Sequence, residues 1–195
     1  SARVAEQIQK SDAKLTISSA CPAAVDFVQK YLPEQADSIT PVLSPLLSHC
    51  RLLRKIYGDD IGIVFIGPCA AKKREMDRHP DLLDVALTFQ DLHRWLQEEG
   101  IDLSSMLPRS EDTFVPEAAN EGALYPVEGG MNETIRMLGD FKDVRFMTLA
   151  GVYCINRALT GLKIDELNTR VFVEILACQG SCVHGPCTSK KRPYL

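Results

Sequence analysis

The chain has 195 residues, of which 45% are hydrophobic and 25% charged, with a net charge of −4 and a pI near 5.6. A chain of that size buries a substantial core in one or two domains, and its mild acidity gives no electrostatic reason to expect nucleic acid or an anionic membrane as a partner. No apolar run approaches the roughly 20 residues of a membrane helix, and the polar, helical opening "SARVAEQIQKSD" has no signal-peptide core.

In chain order, the first strand is expected at "KLTISSA" (14–20), followed by a helix at "PAAVDFVQKYL" (22–32). A second helix is expected at "SPLLSHCRLLRKIYG" (44–58), where Ser44 supplies a capping hydroxyl, Pro45 suits the first helical position and Gly58 is a stop. Strands follow at "IGIVFIG" (61–67) and "DVALTF" (84–89), then a helix at "FQDLHRWLQEEG" (89–100) ending on Gly100. The stretch 101–128, rich in Pro, Ser and acids, reads as a long loop or lobe connection. A helix at "GMNETIRMLGD" (130–140) and strands at "RFMTLAGV" (145–152) and "RVFVEILA" (170–177) complete the series. Strands alternating with helices predict an α/β fold, with mostly parallel sheets flanked by helices. There is no internal repeat and no low-complexity segment. The chain lacks an initiator Met and stops on "SKKRPYL" straight after its last cysteine, so a fragment of a longer protein is expected.

Seven cysteines are an odd number, in a chain too large and too well cored to need disulfide staples. A cytoplasmic location with reduced thiols is therefore expected. Cys21 follows the first strand, Cys69 the "IGIVFIGP" run and Cys178 the "RVFVEILA" run, with Cys182 four residues beyond. Three strands thus end in a cysteine at their carboxyl side, the edge at which open α/β sheets bind ligands. Structural zinc usually takes two close CxxC pairs, whereas this spacing is single, single, then Cys-x3-Cys. The distributed pattern favours an iron–sulfur cluster over zinc, with buried inert thiols as the third reading.

Three motifs built on these cysteines resemble the catalytic domain of iron-only (FeFe) hydrogenases. "SSACPA" (18–23) is similar to Thr-Ser-Cys-Cys-Pro, "IGPCAAKKRE" (66–75) to Met-Pro-Cys-x-x-Lys-Lys-x-Glu, and "EILACQGSCVHGP" (174–186) to Glu-x-Met-Ala-Cys-x-x-Gly-Cys. "SPLL" (44–47), "DVALTFQDL" (84–92) and "EGGMNETIR" (128–136) agree in order, so the resemblance runs across about residues 14–187. It implies hydrogenase-like lobes with the cluster site at the strand ends, the chain being a piece of the H-cluster domain. The H-cluster is a 4Fe–4S cube bridged through one cysteine to a diiron unit carrying CO and cyanide. By position, Cys21, Cys69, Cys178 and Cys182 would bind the cube, with Cys182 as the bridge. Lys72 would donate to a cyanide, the backbone at Gly129 and Gly130 would approach the diiron unit, and Ser44 would be a further cofactor-binding residue. Glu75 would either salt-bridge within its helix turn or belong to a proton route, and apart from the resemblance Lys72 and Lys73 read as a solvated helix start. Implied partners are an upstream ferredoxin-type electron-transfer domain or a downstream PAS-like signalling domain, together with maturation proteins. The isolated fragment is expected to be open to isolation without its metal.

The departures from the family pattern carry information of their own. Ala20 stands where catalytic members have a proton-donating cysteine, Gly67 and Leu176 replace methionines, and the third motif runs into "HGPC". Together they resemble a sensory, PAS-associated branch and leave turnover in doubt, because alanine moves no proton. Outside the motifs, Cys50 and Cys154 read as core or half-exposed thiols, and Cys187 as a spare thiol or an alternative ligand. His49, His79 and His93 read as surface residues, His184 as a loop residue or proton relay, and Trp95 as a helix-face anchor.

Overall fold

The computed structural model describes residues 1–116 and 120–188; residues 117–119 of the long loop and the "SKKRPYL" tail lie outside it. The β-branched runs form five strands: β1 (Leu15–Ile17), β2 (Val64–Gly67), β3 (Val85–Thr88), β4 (Val144–Ala150) and β5 (Arg170–Leu176). Seven α-helices accompany them among the described residues: α1 (Ala2–Lys10), α2 (Pro22–Tyr31), α3 (Pro45–Tyr57), α4 (Ala71–Arg78), α5 (Phe89–Glu98), α6 (Gly130–Arg136) and α7 (Val152–Leu159). Every strand pair is parallel, as an alternation of strand and helix requires. The larger sheet has the order β1-β5-β4, and β2 pairs with β3 in a separate two-stranded sheet.

Central strand β5 explains the first layer of packing. Its residues from Val171 to Leu176 are all buried, the near-continuous apolar pattern of a strand covered on both faces. On one face Val171, Val173 and Ile175 pack with Ala24 and Val28 of α2 and Ile155 and Leu159 of α7. On the other, Phe172 packs with Val4, Ala5 and Ile8 of α1 and with Met131 and Ile135 of α6. The small sheet has its own core, in which Leu47 and Cys50 of α3 meet Ile63, Leu82, Leu83 and Ala86.

Two polar clasps fix this second unit. Arg54 of α3 donates to the Leu82, Asp59 and Ile61 carbonyls and to Asp84 Oδ2, which also accepts from Ile63 N at 2.7 Å. Asp26 of α2 then ties the two sheets together, pairing with Arg78 at 2.7 Å and Arg74 at 3.6 Å on α4.

Five strands and four helices follow the sequence expectation closely, with differences at the edges. β1 ends at Ile17 because the chain leaves the sheet to place Cys21 at the head of α2. α6 stops at Arg136, short of residue 140. Helix α7 is additional to the expected elements, and α4 follows from the helix start expected at Lys72 and Lys73. Between 101 and 128 the described residues hold only short 3-10 turns at Leu103–Ser105 and Asn120–Leu124. Trp95 is 52% exposed, and no residue of α5 is buried.

Candidate metal centre

Parallel strands deliver their carboxyl ends to one side, and all four candidate cysteines start from such ends. Cys21 is the N-cap of α2, just beyond β1, and Cys69 lies two residues beyond β2. Cys178 follows β5, and Cys182 opens a 3-10 turn. The loop between the last two is bent by Ser181, a non-glycine residue at φ +65, whose hydroxyl donates to the Pro126 carbonyl at 2.8 Å. That uncommon conformation turns the chain between Cys178 and Cys182 and is held by complete burial of the serine.

The large sheet supplies Cys21, Cys178 and Cys182, and the small sheet supplies Cys69. The two sources are stitched together by backbone: Cys187 N donates to the Pro68 carbonyl at 3.1 Å. Gly185 lies so close to Pro68 O that a Cβ would stand 2.6 Å from it. Cys21 Sγ accepts from Ala177 N at 3.5 Å, which joins the head of α2 to the end of β5.

The thiols are near enough to feel one another. The Cys182 thiol is pushed up to about 12 by burial first, and then by the sulfurs of Cys21, Cys69 and Cys178, with Lys72 acting in the opposite direction. Burial also raises Cys69, partly offset by the Lys72 and Ala71 amides directed at its sulfur. Crowded, desolvated thiols resist ionisation one by one and give up protons together only to a bound cation. Among the described residues, however, no three His, Cys, Asp or Glu side chains are grouped tightly enough to share one metal ion. A tetrahedral zinc would hold its sulfurs within about 4 Å of each other. Four cysteines brought together from three strand ends are a donor set that could hold an iron–sulfur cluster.

Lys72, Glu75 and Ser44 form a second group beside the cysteines. The Lys72 ammonium donates to Glu75 Oε2 at 2.6 Å and to Ser44 Oγ at 3.2 Å. Lys72 and Glu75 side chains are only 12% and 8% exposed, so the pair is a buried one. Ser44 is also the N-cap of α3, accepting from Leu47 N, as its sequence position predicts. Cys50, expected in the core, is buried on α3 within electrostatic range of both Glu75 and Lys72.

Gly129 and Gly130 open α6, as expected, with Gly129 at φ +82. The close approach that Gly130 permits is made by this chain's own backbone, since a Cβ there would lie 1.7 Å from the Leu124 carbonyl oxygen. The amides of this helix start are met by Glu174, a carboxylate that the motifs leave without a role. Glu174 Oε1 accepts from Met131 N at 3.2 Å and Oε2 from Thr148 Oγ1 at 3.1 Å, while burial raises its pKa. Asn132 Nδ2 donates to Thr148 Oγ1 at 2.8 Å and completes the network. The signal was a lone acid inside an apolar strand, "VFVEILA".

Other expectations divide. His49, His93 and His184 are exposed, and His184 Nδ1 bonds to the Gly180 carbonyl. His79 is half-buried and lines a cleft, and Cys154 is exposed on α7. Ala20 packs against the apolar cluster under α1 and α6.

Comparison with known proteins agrees with the fold. The family profile described as iron only hydrogenase large subunit, C-terminal domain, matches residues 1–186. Iron hydrogenase 1 of Clostridium pasteurianum is 23% identical over 211 aligned positions, covering 86% of this chain and 37% of that protein. A variant of FeFe hydrogenase HydA1 from Chlamydomonas reinhardtii superposes with a TM-score of 0.64 at 20% identity, over 97% of this chain and 65% of the other. An apo form of HydA1 gives 0.64 at 19% identity over the same shares. The chain therefore spans about two thirds of these solved relatives, and the likeness to them is one of fold.

Proposed function

The chain belongs to the C-terminal domain family of iron-only hydrogenase large subunits, and from that premise we propose that it is an H-cluster-type iron–sulfur domain that senses hydrogen or redox state. In this reading Cys21, Cys69, Cys178 and Cys182 hold a 4Fe–4S cube. The carrying observation is that the head of α2, the end of β2 and the loop after β5 bring the four cysteines to one place, near enough that burial first, and then the sulfurs of Cys21, Cys69 and Cys178, raise the Cys182 thiol. Bound, the cube would supply one-electron chemistry, and a diiron unit, where inserted, the place at which dihydrogen binds.

The chain's own residues set the character of the site. Cys21, Cys178 and Cys182 are fixed by one sheet and Cys69 by the other, so a change of charge at the cluster bears on the junction between them. Lys72 keeps a positive charge beside Cys69 and Cys182. Ala20 presents a methyl group at the position where catalytic relatives carry a proton-donating thiol, which supports sensing over turnover. Signalling then requires an attached PAS-like or ferredoxin-type domain whose packing responds to the junction. Maturation proteins would insert any diiron unit. A cytoplasmic setting suits reduced thiols, and no helix among the described residues is long and apolar enough to cross a membrane.

A slow hydrogenase is the second reading, favoured by the retained Lys72–Glu75 pair. A plain 4Fe–4S protein is the third.

The first test is iron and acid-labile sulfide per chain after anaerobic reconstitution. About four of each are expected, with loss in Cys21→Ala and Cys182→Ala. A chain that takes up zinc in place of iron, or variants that keep a full complement, would overturn the assignment. Infrared bands of CO and cyanide then separate the first two readings from the third, and hydrogen–deuterium exchange activity separates the first from the second.

A further inference from the structure

Between α2 and the segment from Ile39 to Leu47 lies a cleft of about 310 Å³, with room for several water molecules. Its polar lining comprises the hydroxyls of Ser19, Thr40 and Ser44, together with Gln29, Arg78, His79 and Glu75. Arg78 is exposed, His79 half-buried and Glu75 buried, so the cleft leads from solvent inward to that carboxylate. On its far side Glu75 is bonded to Lys72, which in turn faces Cys69 and Cys182. The series of cysteines, ammonium, carboxylate and water cleft is therefore continuous, and it avoids Ala20.

We propose that Glu75 is the proton acceptor that balances an electron arriving at the four-cysteine site, drawing the proton from water in this cleft. The inference rests on the cluster-binding reading above. An electron delivered by a low-potential one-electron donor of the ferredoxin class adds negative charge to a poorly solvated site. One proton from cleft water bonds to a Glu75 carboxylate oxygen, and the hydroxide left behind equilibrates with bulk solvent. Lys72 keeps its protons, loses its anionic partner and turns its whole charge toward the site. One electron and one proton enter together, so the buried net charge is unchanged.

The surroundings single out Glu75 for this part. Lys72 on its own helix and the Cys50 thiol of α3 face it, and Arg78 and His79 stand at the solvent end of α4. Asp26, across on α2, is already paired with Arg78 and Arg74. The other carboxylate buried among the described residues, Glu174, has its oxygens engaged by Met131 N and Thr148 Oγ1 and does not line the cleft.

The test is the midpoint potential of the reconstituted chain as a function of pH. Coupling of one proton to one electron lowers the potential by about 59 mV for each tenfold fall in proton activity. That slope is expected for the native chain, and a flat line for Glu75→Gln with iron and sulfide content unchanged. A flat native profile, or an equal slope in Glu75→Gln, would overturn the proposal while leaving cluster binding intact. A chain without iron overturns both. Val25→Phe narrows the cleft from α2 and leaves Glu75 in place. It is expected to keep the slope but slow proton uptake after rapid reduction about tenfold, read with a pH indicator. An unchanged rate would rule the cleft out as the route, including where Glu75→Gln fails to hold iron.

Discussion

A carboxylate in the middle of a central strand costs desolvation free energy, and Glu174 offsets that cost by accepting hydrogen bonds from the head of α6 and from Thr148. Glu174→Ala strips Met131 N of its partner in a dry site and is expected to destabilise the chain by about 2–3 kcal/mol. Glu174→Gln, which keeps an acceptor, should cost less. The pH dependence has a definite sign. Burial raises the folded pKa of Glu174 above its unfolded value, so its favourable contribution is full below the ordinary carboxylate range and is lost as pH rises through the raised value. Urea denaturation from acid toward neutral pH should therefore show native stability falling relative to Glu174→Gln; a constant difference would mean the group does not titrate there. At this scale much of the candidate site was legible, because cysteines that close strands are read directly from the alternation of apolar runs. The pairing of Lys72 with Glu75, one turn apart on α4, was among the sequence readings, whereas the role of Glu174 and the approach of Cys50 depend on where whole elements come to rest, which residue order alone does not specify.

Helices follow the same logic one level up. α5 begins with a reciprocal cap, in which Thr88 Oγ1 accepts from Asp91 N at 3.1 Å and Asp91 Oδ2 accepts from Thr88 N at 2.8 Å. Asp91 also meets Lys73 of α4, which is the largest cause holding its carboxyl well below the usual range. With no buried residue of its own, α5 depends on this cap more than a well-packed helix would. Thr88→Val, nearly isosteric but without the acceptor, should cost about 1 kcal/mol and speed amide exchange through residues 89–98. Normal protection there would show that packing outweighs the cap. The Ser44 and Pro45 start of α3 was readable from residue types, and the strands from their β-branched runs. α4 showed only as a helix start at Lys72 and Lys73, because "AKKREMDR" offers almost no apolar periodicity, and ion pairs join it to α2 and α5. α7 is only two turns long and begins on Gly151, with too few residues for a period to show.

At the scale of the whole molecule, the described residues form one large sheet, its central strand covered on both faces, and one small sheet with much less support. The two strands β2 and β3 leave Val64, Ile66 and Val85 substantially exposed, on a sheet of a size that is marginal alone. Cys69 is the small sheet's sole contribution to the four-cysteine set, so a cluster bound there would act as a clamp from the better packed unit onto the weaker one. Ligation that exists only in the folded state adds its binding free energy to folding, and the benefit falls chiefly on the part that opens most easily. Amide exchange in residues 64–67 and 85–88 should therefore slow on reconstitution far more than exchange in residues 170–176, which are already buried on both faces. Cys69→Ala should remove that protection while leaving the large sheet unchanged, and an iron chelator should reproduce the effect in the native chain. Equal slowing of both sheets in the native chain, or protection that survives Cys69→Ala, would mean that the sheets are coupled through the Asp26 ion pairs and the backbone contacts at Pro68, with the cluster adding nothing to their union.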